Sequence, residues 1–184
     1  MPQGRPASSA VDAGGVAAGL RVVQVQEIAA GMRERTIDGD LQVLARDHVG
    51  MHQHADRIEG AQRQQAPTQL FATTQARGLF VDTLVNNAGY GVPGRFLSKD
   101  WKTHADFLQV MIVAVGQLTH LYLPGMESAG RGRVLNIASL AGLVPASAGH
   151  TLYGAAKAWM IRFSECLALE MQPKGVNVTA LCPG

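Results

Sequence analysis

Three side chains in the stretch Asn136 to Lys157, NIASLAGLVPASAGHTLYGAAK, are of types that can do chemistry together. Tyr153 and Lys157 stand four residues apart. If one helix carries both, they share a face about one turn apart. A phenol with an ordinary pKa of about 10 exchanges protons poorly near neutrality. A lysine ammonium close by favours the phenolate and so helps such an exchange. Ser139 follows an apolar run and offers a hydroxyl that can hold a carbonyl or alcohol oxygen on which charge changes. The trio suits acid–base work at one oxygen. The Tyr-x3-Lys spacing alone is weak, because any helix can carry it by chance.

Elements must bring these residues together. The pattern predicts a strand over Arg133 to Ala138 that delivers Ser139 at its carboxyl end. A loop over Leu140 to Leu152 carries Pro145, Gly149 and an exposed His150. A helix over Tyr153 to Met171 follows, with Ala156, Trp159, Met160, Phe163, Cys166 and Leu167 as its apolar stripe. Upstream, Ala66 to Gly78 reads as a helix with Leu70 and Phe71 on one side. Val81 to Asn86 is apolar enough for a strand buried on both faces, as parallel strands are. Trp101 to Leu123 reads as a long helix stopped at Pro124-Gly125. Its middle, Val110 to Val115, is apolar nearly all round and should be buried on more than one side. Val176 to Cys182 is a last strand, ending at Pro183-Gly184. Strands alternate with helices, so the fold class is α/β with a mainly parallel sheet.

Taken with Asn86-Asn87-Ala88-Gly89, the VLNIAS run and the closing Pro183-Gly184, the Tyr-x3-Lys pair becomes specific. Residues from about Ala66 to Gly184 resemble the short-chain dehydrogenase/reductase family of classical type. The resemblance implies a doubly wound, Rossmann-like sheet, here short of strands at both ends. It also implies hydride transfer between a nicotinamide cofactor and a carbonyl or secondary alcohol on a small molecule. Tyr153 is then the general acid or base. Lys157 tunes it and bonds the nicotinamide ribose, and Ser139 orients the substrate oxygen. Asn86, Ala88, Gly89, Tyr153, Lys157, Pro183 and Gly184 line the cofactor, with Asn87 tying neighbouring strands. Members commonly pair through helices like 101–123 and 153–171, so a homo-oligomer is expected. One departure stands out: Met111 occupies the place of an asparagine that completes the family's catalytic tetrad, and a thioether cannot make that amide's hydrogen bonds.

Residues 1–65 fit less well. The family's glycine-rich TGxxxGxG turn, which lets a helix N-terminus meet a pyrophosphate, is absent as such. Ala7-Ser8-Ser9 echoes it, but Pro6, Ala10 and Asp12 replace its glycines. Val16 to Ala30 has fair helical periodicity, and Leu41 to Asp47 resembles the second strand and its turn. Arg46 at that turn is the candidate partner of a 2′-phosphate, which favours NADP with NAD as the alternative. An arginine on an exposed turn is an equal account of it. The whole chain reads as one domain. Its first third is either a diverged cofactor half or the product of an altered reading frame, and residues 66–184 form a family-like catalytic half. A rival reading of the whole is a non-catalytic fragment that acts, if at all, through its helices.

Composition bounds the rest. The 184 residues are 47% hydrophobic and 16% charged with a net charge of +2, as suits a globular domain. No basic cluster argues for nucleic acid. The longest apolar run is short and the start lacks an apolar signal region, so neither a membrane span nor export is expected. Cys166 and Cys182 make no metal pattern and read as reduced core residues of a cytoplasmic protein. His48, His52 and His54 lack a carboxylate or cysteine to complete a metal site, and a solvated helix face accounts for them. Asn177-Val178-Thr179 matches a glycosylation sequon, taken as coincidence in a buried strand.

Overall fold

A computed structural model describes residues 22–25 and 60–184. Arg46, the three histidines at 48, 52 and 54, and the Ala7-Ser8-Ser9 echo lie outside the described residues.

The strands are β1 (Val22–Val25), β2 (Thr83–Asn86), β3 (Gly132–Ile137) and β4 (Val176–Leu181). They form one parallel sheet in the order β1-β2-β3-β4. The helices are α1 (Gly60–Ala76), α2 (Trp101–Ser128) and α3 (Thr151–Met171). Each connects one strand to its next neighbour. Three successive crossovers in one direction, each right-handed as such connections are, must leave all three helices on one face. The burial pattern agrees. Leu84, Asn86, Val134, Asn136 and Val176 are buried, while their alternates Val85, Leu135 and Ile137 are half-buried and Leu181 is exposed.

The core fills the space between the sheet and the helices. Leu84 and Val134 from the sheet pack with Val110, Ala114, Leu118, Tyr122 and Met126 of α2 and with Ala66 of α1. Phe71 meets Tyr122 edge-on at 5.2 Å, and Thr74 shares a hydrogen bond with the Tyr122 hydroxyl at 3.1 Å.

Several sequence expectations shift. Val22–Val25 is a strand, not part of a helix over 16–30, since a β-branched Val-Val-Gln-Val run suits a sheet once β2 is beside it. Helix α2 does not stop at Pro124. Pro124 lies within the helix on its exposed side, and the helix ends instead before Gly130, whose φ is 62°. Its middle is buried on one side only, because Val113 is exposed. A helix of this length and composition could cross a membrane, contrary to what the short apolar run suggested, yet its apolar side here is packed on the sheet. Cys166 is exposed rather than core, and Cys182 is half-buried. Strand β4 lies at the edge of the described sheet with Asn177 and Thr179 exposed, so the sequon is not buried.

Candidate active site

The carboxyl ends of β2, β3 and β4 meet the first turns of α3. Strand β3 ends at Ile137, and Ser139 follows in extended conformation as the cap of a short 3-10 turn, Leu140–Gly142. Its hydroxyl oxygen accepts the Ala141 N–H at 3.1 Å. This turn lies hard against α3. A Cβ on Gly142 would stand 2.7 Å from both the Ala158 nitrogen and the Lys157 carbonyl carbon, and one on Gly154 would stand 3.1 Å from the Ala141 oxygen. Glycine on each side is therefore what lets the serine turn approach the helix that carries Tyr153 and Lys157.

Tyr153 and Lys157 lie on one face of α3, as the spacing predicts, with the Lys157 ammonium 5.7 Å from the tyrosine ring centroid. Lys157 is buried and donates to the Ile137 carbonyl at 2.6 Å. Burial pushes its pKa below the ordinary lysine value, opposed by the charge of Cys182 after β4. The ammonium carries three donors. Ile137 takes one, which leaves donors for the hydroxyl oxygens of a ribose.

The end of β4 closes on the same turn. Leu140 N–H donates to the Pro183 carbonyl at 3.0 Å, and a Cβ on Gly184 would touch the Leu140 side chain. Gly89 comes to the other side, since a Cβ there would lie 3.9 Å from the Lys157 nitrogen. Ala88 is buried beside it. Asn86 has a different surrounding. Its amide nitrogen donates to the Asn136 side-chain oxygen at 2.8 Å and to the Thr119 hydroxyl at 3.3 Å, directly across the β2–β3 register. Asn136 in turn donates to the Ser164 hydroxyl on α3 at 2.8 Å. Asn86 is therefore the strand tie that the sequence reading gave to Asn87. Asn136, Ser164 and the close-packed Gly142 were not singled out by sequence reasoning. Only the pairing register and the helix–turn contact give them meaning, and a single sequence contains neither.

The site is thus a serine turn, a tyrosine and a buried lysine gathered at the carboxyl ends of parallel strands, the usual ligand position in open α/β sheets. The family description "short chain dehydrogenase" matches residues 21–184. The chain belongs to the short-chain dehydrogenase family. It is 36% identical over 104 residues to a ketoacyl reductase, HetN, of Nostoc sp., covering 56% of this chain and 36% of that one. The solved structure of a short-chain dehydrogenase from Streptomyces avermitilis superposes with a TM-score of 0.61 at 35% identity, covering 66% of this chain and 44% of that one. A 3-oxoacyl-[acyl-carrier protein] reductase with bound NAD from Brucella melitensis gives a TM-score of 0.59 at 29% identity, with 64% and 47% covered. The chain spans about two fifths of the length of the curated relatives it matches. The family match begins at residue 21, within the first third that reads as a diverged cofactor half or an altered reading frame.

Proposed function

We propose that this chain carries the catalytic half of an NAD(P)-dependent oxidoreductase that moves a hydride between a nicotinamide cofactor and a carbonyl or secondary alcohol. The observation that carries this reading is the Lys157 ammonium 5.7 Å from the Tyr153 ring, on a helix packed against the turn of Ser139. In this reading Ser139 orients the substrate oxygen through its hydroxyl. The Tyr153 hydroxyl gives that oxygen a proton in reduction and takes it back in oxidation. Lys157 favours the phenolate by its charge and holds the cofactor ribose with its remaining donors. Ala88, Gly89, Pro183 and Gly184 border the nicotinamide with backbone and small side chains, and Asn86 holds the strand ends that present them. The bound cofactor supplies the hydride.

NADP is the favoured cofactor on Arg46, with NAD as the alternative. Relatives with ketoacyl and 3-oxoacyl names make a 3-oxoacyl thioester the first substrate to try. We take the chain to act in the cytoplasm, as a homo-oligomer joined through the helices at 101–123 and 153–171.

The test is NADPH oxidation by the purified chain with such a thioester. Tyr153→Phe is expected to lower kcat/KM by roughly 10²–10⁴, with NADPH binding, read by fluorescence, weakened far less. Equal turnover by Tyr153→Phe would end the assignment. Met111 favours a second reading, a chain that associates without turnover. On that reading neither NADPH nor NADH raises the melting temperature, whereas a cofactor at about 100 times its Kd adds about 2.7 kcal/mol.

A further inference from the structure

Helix α2 widens to a π-helical segment over Gln109–Val113, where the Ala114 N–H reaches back to the Gln109 carbonyl. Such wide turns are rare and are frequently found at functional sites. The residue at the centre is Met111. It is fully buried, clusters with Phe107 and Ala156, and packs in the same group as Tyr90, Leu152 and Tyr153.

Its end points at a particular place. A Cβ built on Gly89 would meet the Met111 sulfur at 3.0 Å, its methyl carbon at 3.5 Å and the Lys157 nitrogen at 3.9 Å. The thioether and the ammonium therefore converge on the same bare Cα. A thioether is at most a weak acceptor, so on this side the protein offers the ammonium apolar, polarisable matter instead of an amide or carboxylate. The acceptor it does have is the Ile137 carbonyl at 2.6 Å.

We propose that Met111 is a positioning residue for Lys157: its thioether withholds any protein acceptor from the ammonium on the Gly89 side and so leaves the Ile137 carbonyl and the Tyr153 ring as the protein groups that hold it. The geometry stands by itself. Its catalytic consequence rests on the dehydrogenase reading above: Lys157 gives up its proton, and with it the charge that favours the phenolate, at a lower pH than an ordinary lysine would. The groups around Lys157 agree. Tyr153 on its own helix and Cys182 after β4 are the titratable neighbours, and the facing residues from α2, the β2 loop and the serine turn are Met111, Gly89 and Gly142. Burial lowers the lysine pKa in the same sense.

The experiment follows the Lys157 side-chain carbon resonance of the purified chain from about pH 6 to about pH 11, a range that brackets the ordinary lysine pKa. Lys157→Met assigns the signal. Met111→Leu, a near volume-conserving swap, should titrate like the parent, below ordinary lysine. Met111→Asn, whose amide brings an acceptor, should raise the midpoint by roughly one unit. Met111→Gln serves in its place if the asparagine variant loses its dispersed spectrum. A midpoint unmoved by the amide, or moved as far by leucine, overturns the proposal. NADPH oxidation is measured on the same samples. A shift of Lys157 in a chain that never oxidises NADPH upholds the positioning role and overturns the dehydrogenase reading. Turnover with no shift does the reverse. Where both hold, the alkaline limb of kcat/KM moves up in pH with the lysine midpoint.

Discussion

At the scale of single residues, Lys157 carries an electrostatic conflict. It is a buried ammonium with one close carbonyl acceptor and an apolar wall. Its folded pKa lies below the unfolded value of about 10.4. Below both values the lysine is charged in either state, and its burial costs stability in full. Between them the unfolded chain binds the proton and the folded chain does not, so stability rises with pH across that window. Lys157→Met keeps the bulk and removes the titration. The expected outcome is that the parent gains on Lys157→Met in denaturant midpoint as the pH is raised from 7 toward the unfolded lysine pKa. A difference that stays flat with pH would show that burial does not hold that pKa down. The Asn86–Asn136–Ser164 chain is the contrasting case: neutral buried amides and a hydroxyl linked across two strands and a helix, with the Asn86 side-chain oxygen left without a partner.

At the scale of elements, the site depends on how closely the Leu140–Gly142 turn approaches α3. The two nearest atoms facing Gly142 are backbone, which cannot swing aside as the Ile161 side-chain end beyond them can. Gly142→Ala must therefore push the turn off the helix. Overpacking of this kind costs about 1–3 kcal/mol, and here the strain falls on the turn that Ser139 caps. The variant should melt lower and, on the proposed dehydrogenase reading, lose turnover beyond its loss of folded protein, read as a fall in kcat at saturating NADPH. Ala141→Gly, on the same turn, should lower stability a little without that fall. The elements also show what a sequence can and cannot carry. Tyr153 and Lys157 were legible because both lie within one helical turn, where spacing alone fixes the face. Strands β2, β3 and β4 were legible as apolar runs bounded by turns, with ends shifted by a residue or two. Val22–Val25 was not, because a run of four residues fits either period and only its pairing with β2 decides. Nor was the π-helical turn at Met111, since Val-Met-Ile-Val-Ala reads equally well in an unbroken helix. Pro124 misled because a proline costs a helix one hydrogen bond and a clash with the turn before it, and the packing of α2 on the sheet outweighs that cost here.

At the scale of the molecule, the three helices share one face of the sheet, and their outward sides are not all polar. Val113 is 48% exposed on α2, and Leu169 is 76% exposed on α3. Trp101, at the start of α2, is also exposed. Such residues are unremarkable singly, but two long helices side by side can present them to the same helices of another copy. The opposite face of the sheet carries Val85, Leu135 and Ile137, half-buried, as a second apolar surface. The two surfaces make different predictions about association. If copies meet through the helices, Val113→Glu combined with Leu169→Glu places two like charges on each side of a two-fold contact, and sedimentation velocity should show the mass fall to that of one chain. An interface of ordinary size needs about 800 Å² from each partner, more than these two side chains cover, so the charges act by leaving buried carboxylates without partners. Val85→Glu, on the opposite sheet face, should leave the mass unchanged. The reverse pattern, with dissociation by Val85→Glu alone, would move the contact to the sheet and leave α2 and α3 facing solvent. Since Met111 and Lys157 lie on the inner sides of those two helices, dissociation by the helix variants should leave the Lys157 titration where it is in the parent, and that comparison separates assembly from the chemistry of the site.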